Sequence, residues 1–458
     1  MTKTLECISP IDGSVYASRQ TLSLDEAKDV AANARAALRT WAARPLGERV
    51  SLVQAGVAKV GETTERMAEE LAHQMGRPVR YGGEFGGFEE RASYMASIAE
   101  EALAPVVIEE SDAFVRKIKR EAAGVVFVVA PWNYPYMTAV NTVAPALIAG
   151  NTVILKHATQ TLLVGERMVE AFVEAGIPEA VFQNVFLDHD TTSELIASGA
   201  FNVVNFTGSV GGGKAMERAA AGTFTAVATE LGGKDPGYVT EDADIDAAVE
   251  TLIDGAMFNS GQCCCGIERI YVHESLFDEF VEKAVALVNT YKLGNPLEAD
   301  TTIGPMANIR FAKEVRSQIG EAIADGAKAH IDTFAEDDGG AYVTPQILTD
   351  VTHDMRIMRD ETFGPAVGIM KVKDDEEAIG LMNDSPFGLT ASLWTKDTAR
   401  AETIGARIET GTVFMNRCDY LDPALCWTGC KDTGRGTGLS ILGFHALTRP
   451  KSYHLKKA

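Results

Sequence analysis

The chain predicts an α/β protein built on doubly wound parallel sheets, and three observations carry that prediction. At 458 residues it exceeds what one small core organises, and about 150 residues per domain suggests roughly three units, or two large ones sharing an extended interface. From Val125 to Phe206, short apolar strands alternate with helical stretches, the signature of a parallel sheet with crossover helices. A second α/β stretch starts near Asp244 and continues to about Met415.

In chain order, the first hundred residues read as helices. Ser23-Leu-Asp-Glu26 is a capping box before an Ala-rich run, and Met67–Met75 and Phe88–Leu103 follow with helical apolar spacing. From Val106 to Arg120 the pattern turns short and β-like around Glu110-Ser-Asp112, which predicts a hairpin. Strands are then expected at Val125–Ala130, Thr152–Leu155, Val181–Phe186 and Asn202–Phe206, with helices around Met137–Leu147, Leu163–Ala175 and Thr192–Ala197 between them. Phe224–Thr229 is strand-like, a helix runs from Asp244 toward Phe258, and Arg269–His273 is a strand. No internal repeat or low-complexity tract interrupts this order.

Composition excludes several classes of function. Lys and Arg number 42 against 64 Asp and Glu, a net charge of −22 that repels polyphosphate backbones, so nucleic acid is not an expected partner. No apolar run approaches the roughly 20 residues that span a bilayer, and the N-terminus has no basic region followed by an apolar stretch, so the expected location is the cytoplasm. Seven cysteines, three of them consecutive, suit no ordinary disulfide framework and fit reduced thiols better.

Four segments could carry chemistry. Asn259-Ser-Gly-Gln-Cys-Cys-Cys-Gly266 lies between a helix and a strand, where a loop can present a thiol to a cleft, although small free cysteines serve equally often as buried packing groups. No metal site is expected there, since three adjacent thiols cannot all face one ion, and Cys418, Cys426 and Cys430 lack C-x₂-C spacing. Glu230 leaves the end of a strand into Leu231-Gly-Gly233, where ligands bind, though an isolated carboxylate is usually a solvated surface group. Asn133, in Pro131-Trp-Asn-Tyr-Pro135, can offer a rigidly held amide to an oxyanion or simply form a turn. Phe206-Thr-Gly-Ser-Val-Gly-Gly-Gly-Lys214 joins a strand to a helix and would let a dinucleotide approach the backbone, although it is not the G-x-G-x-x-G fingerprint.

Taken in order, Pro-Trp-Asn-Tyr-Pro, Phe-Thr-Gly-Ser, Glu230-Leu-Gly-Gly-Lys234, Asn-x-Gly-Gln-x-Cys264 and Glu361-Thr-Phe-Gly-Pro365 resemble the aldehyde dehydrogenase superfamily over essentially the whole chain. The resemblance implies NAD(P)-dependent oxidation of an aldehyde to a carboxylic acid through a thiohemiacetal and then a thioester on Cys264. That middle thiol is selected because it stands two residues after Gln262, and its separation of 34 residues from Glu230 suits the family's base and nucleophile. Asn133 and the Cys264 backbone N–H would stabilise the oxyanion, and Glu230 would activate the hydrolytic water. Cys263 and Cys265 would pack or line the pocket, with Tyr134 and Trp427 supplying apolar tunnel surface.

For the cofactor, similarity assigns Lys156 to the adenosine ribose, and Ser209 with Gly208 and Gly213 to the pyrophosphate region. Glu361 falls to the nicotinamide ribose, with Phe363 and Trp132 near the ring. Many relatives carry Lys-Pro-Ser-Glu, whose glutamate holds the ribose hydroxyls, whereas this chain has Lys156-His-Ala-Thr159. Thr159 therefore leaves both NAD and NADP open as cofactors. Near the C-terminus, Cys426-Trp-Thr-Gly429 replaces the frequent Pro-Phe-Gly-Gly, and no obvious arginine pair matches a semialdehyde carboxylate, which favours a medium-sized apolar or aromatic aldehyde.

The family fold implies two Rossmann-like α/β domains plus a small β oligomerisation element. Residues 1–104 and 123–232 would bind dinucleotide, 233–435 would form the catalytic domain, and 105–122 with 436–458 would form the oligomerisation element. Lys451–Lys457 would be a last strand docking on a neighbour in a homodimer or homotetramer. Two alternatives are a catalytically silent binding relative, against which Asn133, Glu230 and Cys264 all stand intact, and a CoA-acylating enzyme, a class that generally lacks the glutamate at Glu230.

Overall fold

The computed structural model describes residues 2–457. Its central feature is a five-stranded, fully parallel sheet in the spatial order Phe182–Asn184, Thr152–His157, Val125–Ala130, Val203–Thr207, Ala226–Glu230. Val125–Ala130 is apolar throughout, and both it and Thr152–His157 are buried at every position, as strands covered by helices on both faces must be. The connecting helices Pro135–Ile148, Leu162–Glu174 and His189–Ala197 lie where the sequence alternation places them.

This strand order reverses direction at Val125–Ala130, whose neighbours are the next strand on one side and a later one on the other. The loops leaving Val125–Ala130 and Val203–Thr207 therefore diverge and open a crevice at the carboxyl edge of the sheet, the place where parallel sheets bind ligands. Pro131–Tyr134 and Gly208–Ser209 are the residues that enter it.

A second sheet follows the order Lys328–Ala329, Gln346–Thr349, Ala366–Val372, Ile267–His273, Asp235–Val239, Thr390–Trp394, Thr412–Met415, and only its first strand is antiparallel. Its helix Ile245–Met257 starts at Asp244, whose side chain accepts a hydrogen bond from the Ala247 N–H.

The third sheet is antiparallel, ordered Thr448–Lys456, Phe114–Ala122, Val106–Glu110. The expected hairpin is present, and the last strand pairs with Phe114–Ala122 of the same chain, from Thr448 opposite Ala122 to Lys456 opposite Phe114. Val106, Val107 and Ile108 are more than half exposed on the outer strand.

Two elements near the N-terminus differ from the all-helical reading. Thr4–Ile8 and Val15–Gln20 pair as a hairpin around a turn at Gly13, whose φ of 76° suits glycine. The helix Leu46–Gly61 starts after Pro45 with no side-chain cap, so it lacks the local signal that marks Ser23 and Glu26, where the capping box is fully formed.

Candidate active site

The crevice at the sheet's switch point encloses a cavity of about 600 Å³ lined by Trp132, Asn133, Lys156, Gly208, Ser209, Gly212, Glu361, Phe363 and Cys264, among others. Loops of both α/β units thus meet at one cavity.

Cys264 reaches the cavity through an unusual backbone. After Met257, Asn259, Ser260 and Gly261 are consecutively left-handed, with φ of 54°, 56° and 70°. At Gly261 a side chain would also collide with the Gly364 carbonyl, 2.2 Å from where a Cβ would stand, so glycine is required there. The Gln262 side chain then ties the loop down, donating to Asn259 O at 3.0 Å and accepting from Ala307 N at 2.8 Å. Of the three thiols, Cys263 and Cys265 are buried and Cys264 is half-buried at the cavity wall.

The same loop is fastened to the Pro131–Pro135 turn. Asn259 Nδ2 donates to Asn133 O at 3.3 Å, and Arg77 donates from Nε to Asn259 Oδ1 at 3.2 Å and from Nη2 to Asn133 O. Arg77 is paired with Glu84 at 2.6 Å, almost wholly buried, and Glu84 accepts from the Met137 N–H at 2.8 Å. Nothing local in the sequence marks Arg77 or Glu84 as part of the site.

The thiols titrate as a set. Hydrogen bonding holds both flanking thiols well above the ordinary range, with Cys264 the first cause for Cys263 and Cys263 followed by Cys264 for Cys265, and burial adds to each. Conversely, the neighbouring Cys263 and Cys265 thiols, followed by the backbone N–H groups of Cys264 and Cys265, hold Cys264 well below it. A low-pKa, partly accessible thiol in a cleft is the arrangement a nucleophile needs.

Glu230 ends its strand with its carboxylate beside Trp427 and Gly438 and under the influence of the Cys264 charge. Burial first, and the charge of Cys264 second, raise its pKa to about 8, against hydrogen bonds from the Thr207 and Trp427 side chains that favour the carboxylate. Glu361 is likewise pushed up to about 8 by burial and then by Glu268, and it accepts from the Gly233 N–H at 3.1 Å. The Gly232-Gly233 pair makes this approach possible: a Cβ at Gly232 would lie 2.5 Å from Glu361 and one at Gly233 would lie 2.3 Å from Cys264 O.

Around the cofactor candidates, Lys156 is buried in the cavity wall, its pKa lowered to about 8 by desolvation. Ser209 caps the helix Val210–Ala220 through the Gly212 N–H, leaving that N-terminus open to the cavity. Trp132 stacks on Phe311 at 5.1 Å and meets Phe363 edge-on at 5.5 Å. Not every expected residue joins them. Gly213 faces Leu231, where a Cβ would stand 2.6 Å from the side chain, and Gly212 takes the place on the cavity. Thr159 is exposed on the turn Thr159–Thr161 and its neighbour Ala158 lines the cavity instead. Tyr134 turns away from the cavity under the Arg77 guanidinium, 4.6 Å from its ring, and Trp427 is buried beside Glu230.

One further positioning group has no local pattern in the sequence to mark it. Glu268, in the strand after the cysteine loop, accepts from Lys234 Nζ at 2.7 Å and from the Thr362 and Phe363 N–H groups at 2.8 Å each. It thereby holds Glu361-Thr-Phe363 against the glycine pair. Lys234 belongs to a quoted motif, but its partner does not.

A model of the aldehyde dehydrogenase family matches residues 1–453. The chain is 30% identical over 447 residues to an NADP(+) succinate-semialdehyde dehydrogenase of Deinococcus radiodurans, covering 97% of this chain and 93% of that protein. It is 32% identical over 406 residues to the betaine aldehyde dehydrogenase of Bacillus subtilis, covering 86% and 83%. Among solved structures, the NADP-dependent glyceraldehyde-3-phosphate dehydrogenase of Bacillus halodurans superposes with a TM-score of 0.94 at 33% identity, over 100% of this chain and 96% of that one.

Proposed function

Because the chain belongs to the aldehyde dehydrogenase family and is an NAD(P)-dependent aldehyde-oxidising enzyme, we propose that Cys264, Glu230 and Asn133 carry its reaction. The observation that supports this most is that Cys264, alone of three adjacent thiols, opens on the cavity that Asn133 and Glu361 also line.

The Cys264 thiolate adds to the aldehyde carbon, and the Asn133 amide with the Cys264 N–H stabilises the oxyanion that forms. The cofactor site fits a nicotinamide dinucleotide: a switch-point cleft, a helix N-terminus at Ser209, a buried Lys156, and aromatic rings at Trp132 and Phe363. Lys156 and Ser209 would hold its adenosine and phosphates, and Glu361 its nicotinamide ribose. When bound, the nicotinamide supplies the hydride acceptor. Glu230 then removes a proton from the water that cleaves the thioester, releasing the carboxylate and the thiol.

In the same reading, residues 1–104 and 123–232 form the dinucleotide-binding domain, 233–435 the catalytic domain, and 105–122 with 436–458 the oligomerisation element. The exposed Val106, Val107 and Ile108 favour a homodimer or homotetramer. All seven cysteines are free and no described helix is long and apolar enough to cross a membrane, in keeping with a reducing cytoplasmic location.

For the substrate, the structure favours an anionic aldehyde over the apolar one expected from sequence. Arg91, 8% exposed, makes no ion pair among the described residues, and its Nη1 bonds only Met137 O at 3.0 Å and Asn141 Oδ1 at 3.4 Å. Its Nε and the Tyr134 hydroxyl are buried without partners. Its charge acts on Glu230, and the charges acting on it are Glu84 first, then Cys265, Glu90 and Asp419. A buried guanidinium without a direct ion pair is costly, and a substrate carboxylate would offset that cost. The succinate-semialdehyde dehydrogenases among the relatives agree with an acid-bearing aldehyde.

Reduced-cofactor formation with succinic semialdehyde and with butanal decides between these substrates. Arg91→Met should raise KM for the first and leave the second unchanged; equal use of both aldehydes would return the apolar reading. Cys264→Ala should abolish oxidation and retain dinucleotide binding, and steady turnover in that variant would overturn the mechanism. Turnover only with added CoA would favour the acylating alternative.

A further inference from the structure

We propose that Cys263, Cys265 and Asp419 form a binding site for one thiophilic divalent cation, of the zinc and cadmium class, and that its occupancy arrests the enzyme. The two Sγ atoms are 3.5 Å apart, and both thiols donate to the same carboxylate oxygen, Asp419 Oδ1, at 3.2 Å from Cys263 and 2.9 Å from Cys265. All three candidate ligand atoms lie within 4.8 Å of one another.

The dimensions suit a tetrahedral centre. Zinc–sulfur bonds of about 2.3 Å and zinc–oxygen bonds of about 2.0–2.2 Å place neighbouring ligand atoms roughly 3.5–3.8 Å apart. The triangle here is smaller by a few tenths of an ångström, as expected while protons rather than a metal sit between the donors. Three adjacent thiols need not share an ion: two of them can bind it while the intervening one lines the cavity, when a third ligand arrives from another loop. Cys264 lines the cofactor cavity, and Asp419 comes from the loop after Thr412–Met415.

Access and charge are also compatible. The thiols are buried and Asp419 is half-buried, and a water would supply the fourth ligand of a tetrahedral ion. Binding exchanges two thiol protons for one dication: two thiols and one carboxylate become two thiolates and one carboxylate around the metal, with two protons released to solvent. The resulting centre carries one net negative charge, and the nearby Arg91 guanidinium, already influenced by Cys265 and Asp419, compensates it.

Occupancy would act on turnover without touching substrate. Cys264 stands between the two ligands in the chain, so coordination of Cys263 and Cys265 fixes the backbone that carries the oxyanion-binding Cys264 N–H. This proposal extends the assignment of Cys264 as nucleophile, but the metal site itself can be read without turnover.

Cadmium chloride is titrated into the full-length Cys264→Ala protein while the ultraviolet thiolate-to-cadmium charge-transfer band is followed. One equivalent per chain should saturate a band of two-thiolate intensity, with release of two protons. The band should vanish in Cys264→Ala/Cys263→Ser/Cys265→Ser and saturate at a concentration at least tenfold higher with Asp419→Asn added to Cys264→Ala instead. In wild type, one equivalent should abolish aldehyde oxidation and EDTA should restore it. No band in Cys264→Ala, or equal inhibition of wild type and Asp419→Asn, would overturn the proposal. The asparagine variant is nearly isosteric, so it keeps the test decisive if the serine variant does not fold.

Discussion

The Lys234 ammonium lies 2.7 Å from Glu268 Oε2, and both side chains are almost completely excluded from solvent. Desolvation lowers the Lys234 pKa, and Glu268 is the neighbour that opposes this most. The pair joins two strands of the seven-stranded sheet to the loop carrying Glu361 and Phe363. Glu268→Ala should therefore cost about 3–5 kcal/mol, because it strands a buried ammonium. It should also weaken dinucleotide binding, as Thr362 and Phe363 lose their acceptor. Thermal unfolding and a dinucleotide titration measure the two effects, and a neutral result in both would remove Glu268 from the site.

Oxyanion stabilisation should depend on Arg77, which touches no substrate. Its buried pair with Glu84 fixes the Asn133 backbone and Asn259 together. Arg77→Met should reduce kcat by about 10²–10³-fold, the scale of losing one oxyanion donor. Dinucleotide affinity should hardly move, since Lys156, Ser209 and Glu361 are held by other contacts. If kcat survives in a folded variant, Asn133 is positioned by its prolines alone.

Turnover limited by thioester hydrolysis should rise with pH through about 8. Glu230 must be ionised to accept a proton, and burial followed by the Cys264 charge raises its pKa to that value. Below it, the ionised fraction falls about tenfold per pH unit; above it, the rate levels off. Glu361 has the same value, so the assignment needs a variant. Glu230→Gln should lose this limb while keeping a first-turnover burst of reduced cofactor, whereas Glu361→Gln should keep the limb.

Cofactor choice should respond to charge beside Ala158. Thr159 is exposed on the turn that follows this cavity-lining residue. Thr159→Glu should raise KM for NADP by about tenfold or more through repulsion of the 2′-phosphate, and change KM for NAD far less. An unchanged ratio would place the adenosine end elsewhere in the cavity.

Much of this architecture was legible in the chain. Val125–Ala130 is a run of apolar residues too uniform for a half-exposed strand, and Ser23 with Glu26 is a cap that the structure reproduces atom for atom. Cys264 was singled out by its place two residues after Gln262 in the motif Asn-x-Gly-Gln-x-Cys. Strand alternation, caps and motif order depend on neighbours within a few residues, so one sequence carries them.

Only the tertiary structure decided which groups act together. Cys265 meets Asp419 across 154 positions, Arg77 meets Asn259 across 182, and Glu268 meets Phe363 across 95. Such pairs leave no periodic trace, because chain folding rather than local spacing brings them into contact. The choice between Gly212 and Gly213 shows the same limit at short range. One residue turns a helix by about 100°, enough to exchange a cavity wall for the Leu231 side chain. Seven thiols were visible in the sequence, but burial and distance decided that one opens on the cofactor cavity while its two neighbours share a carboxylate.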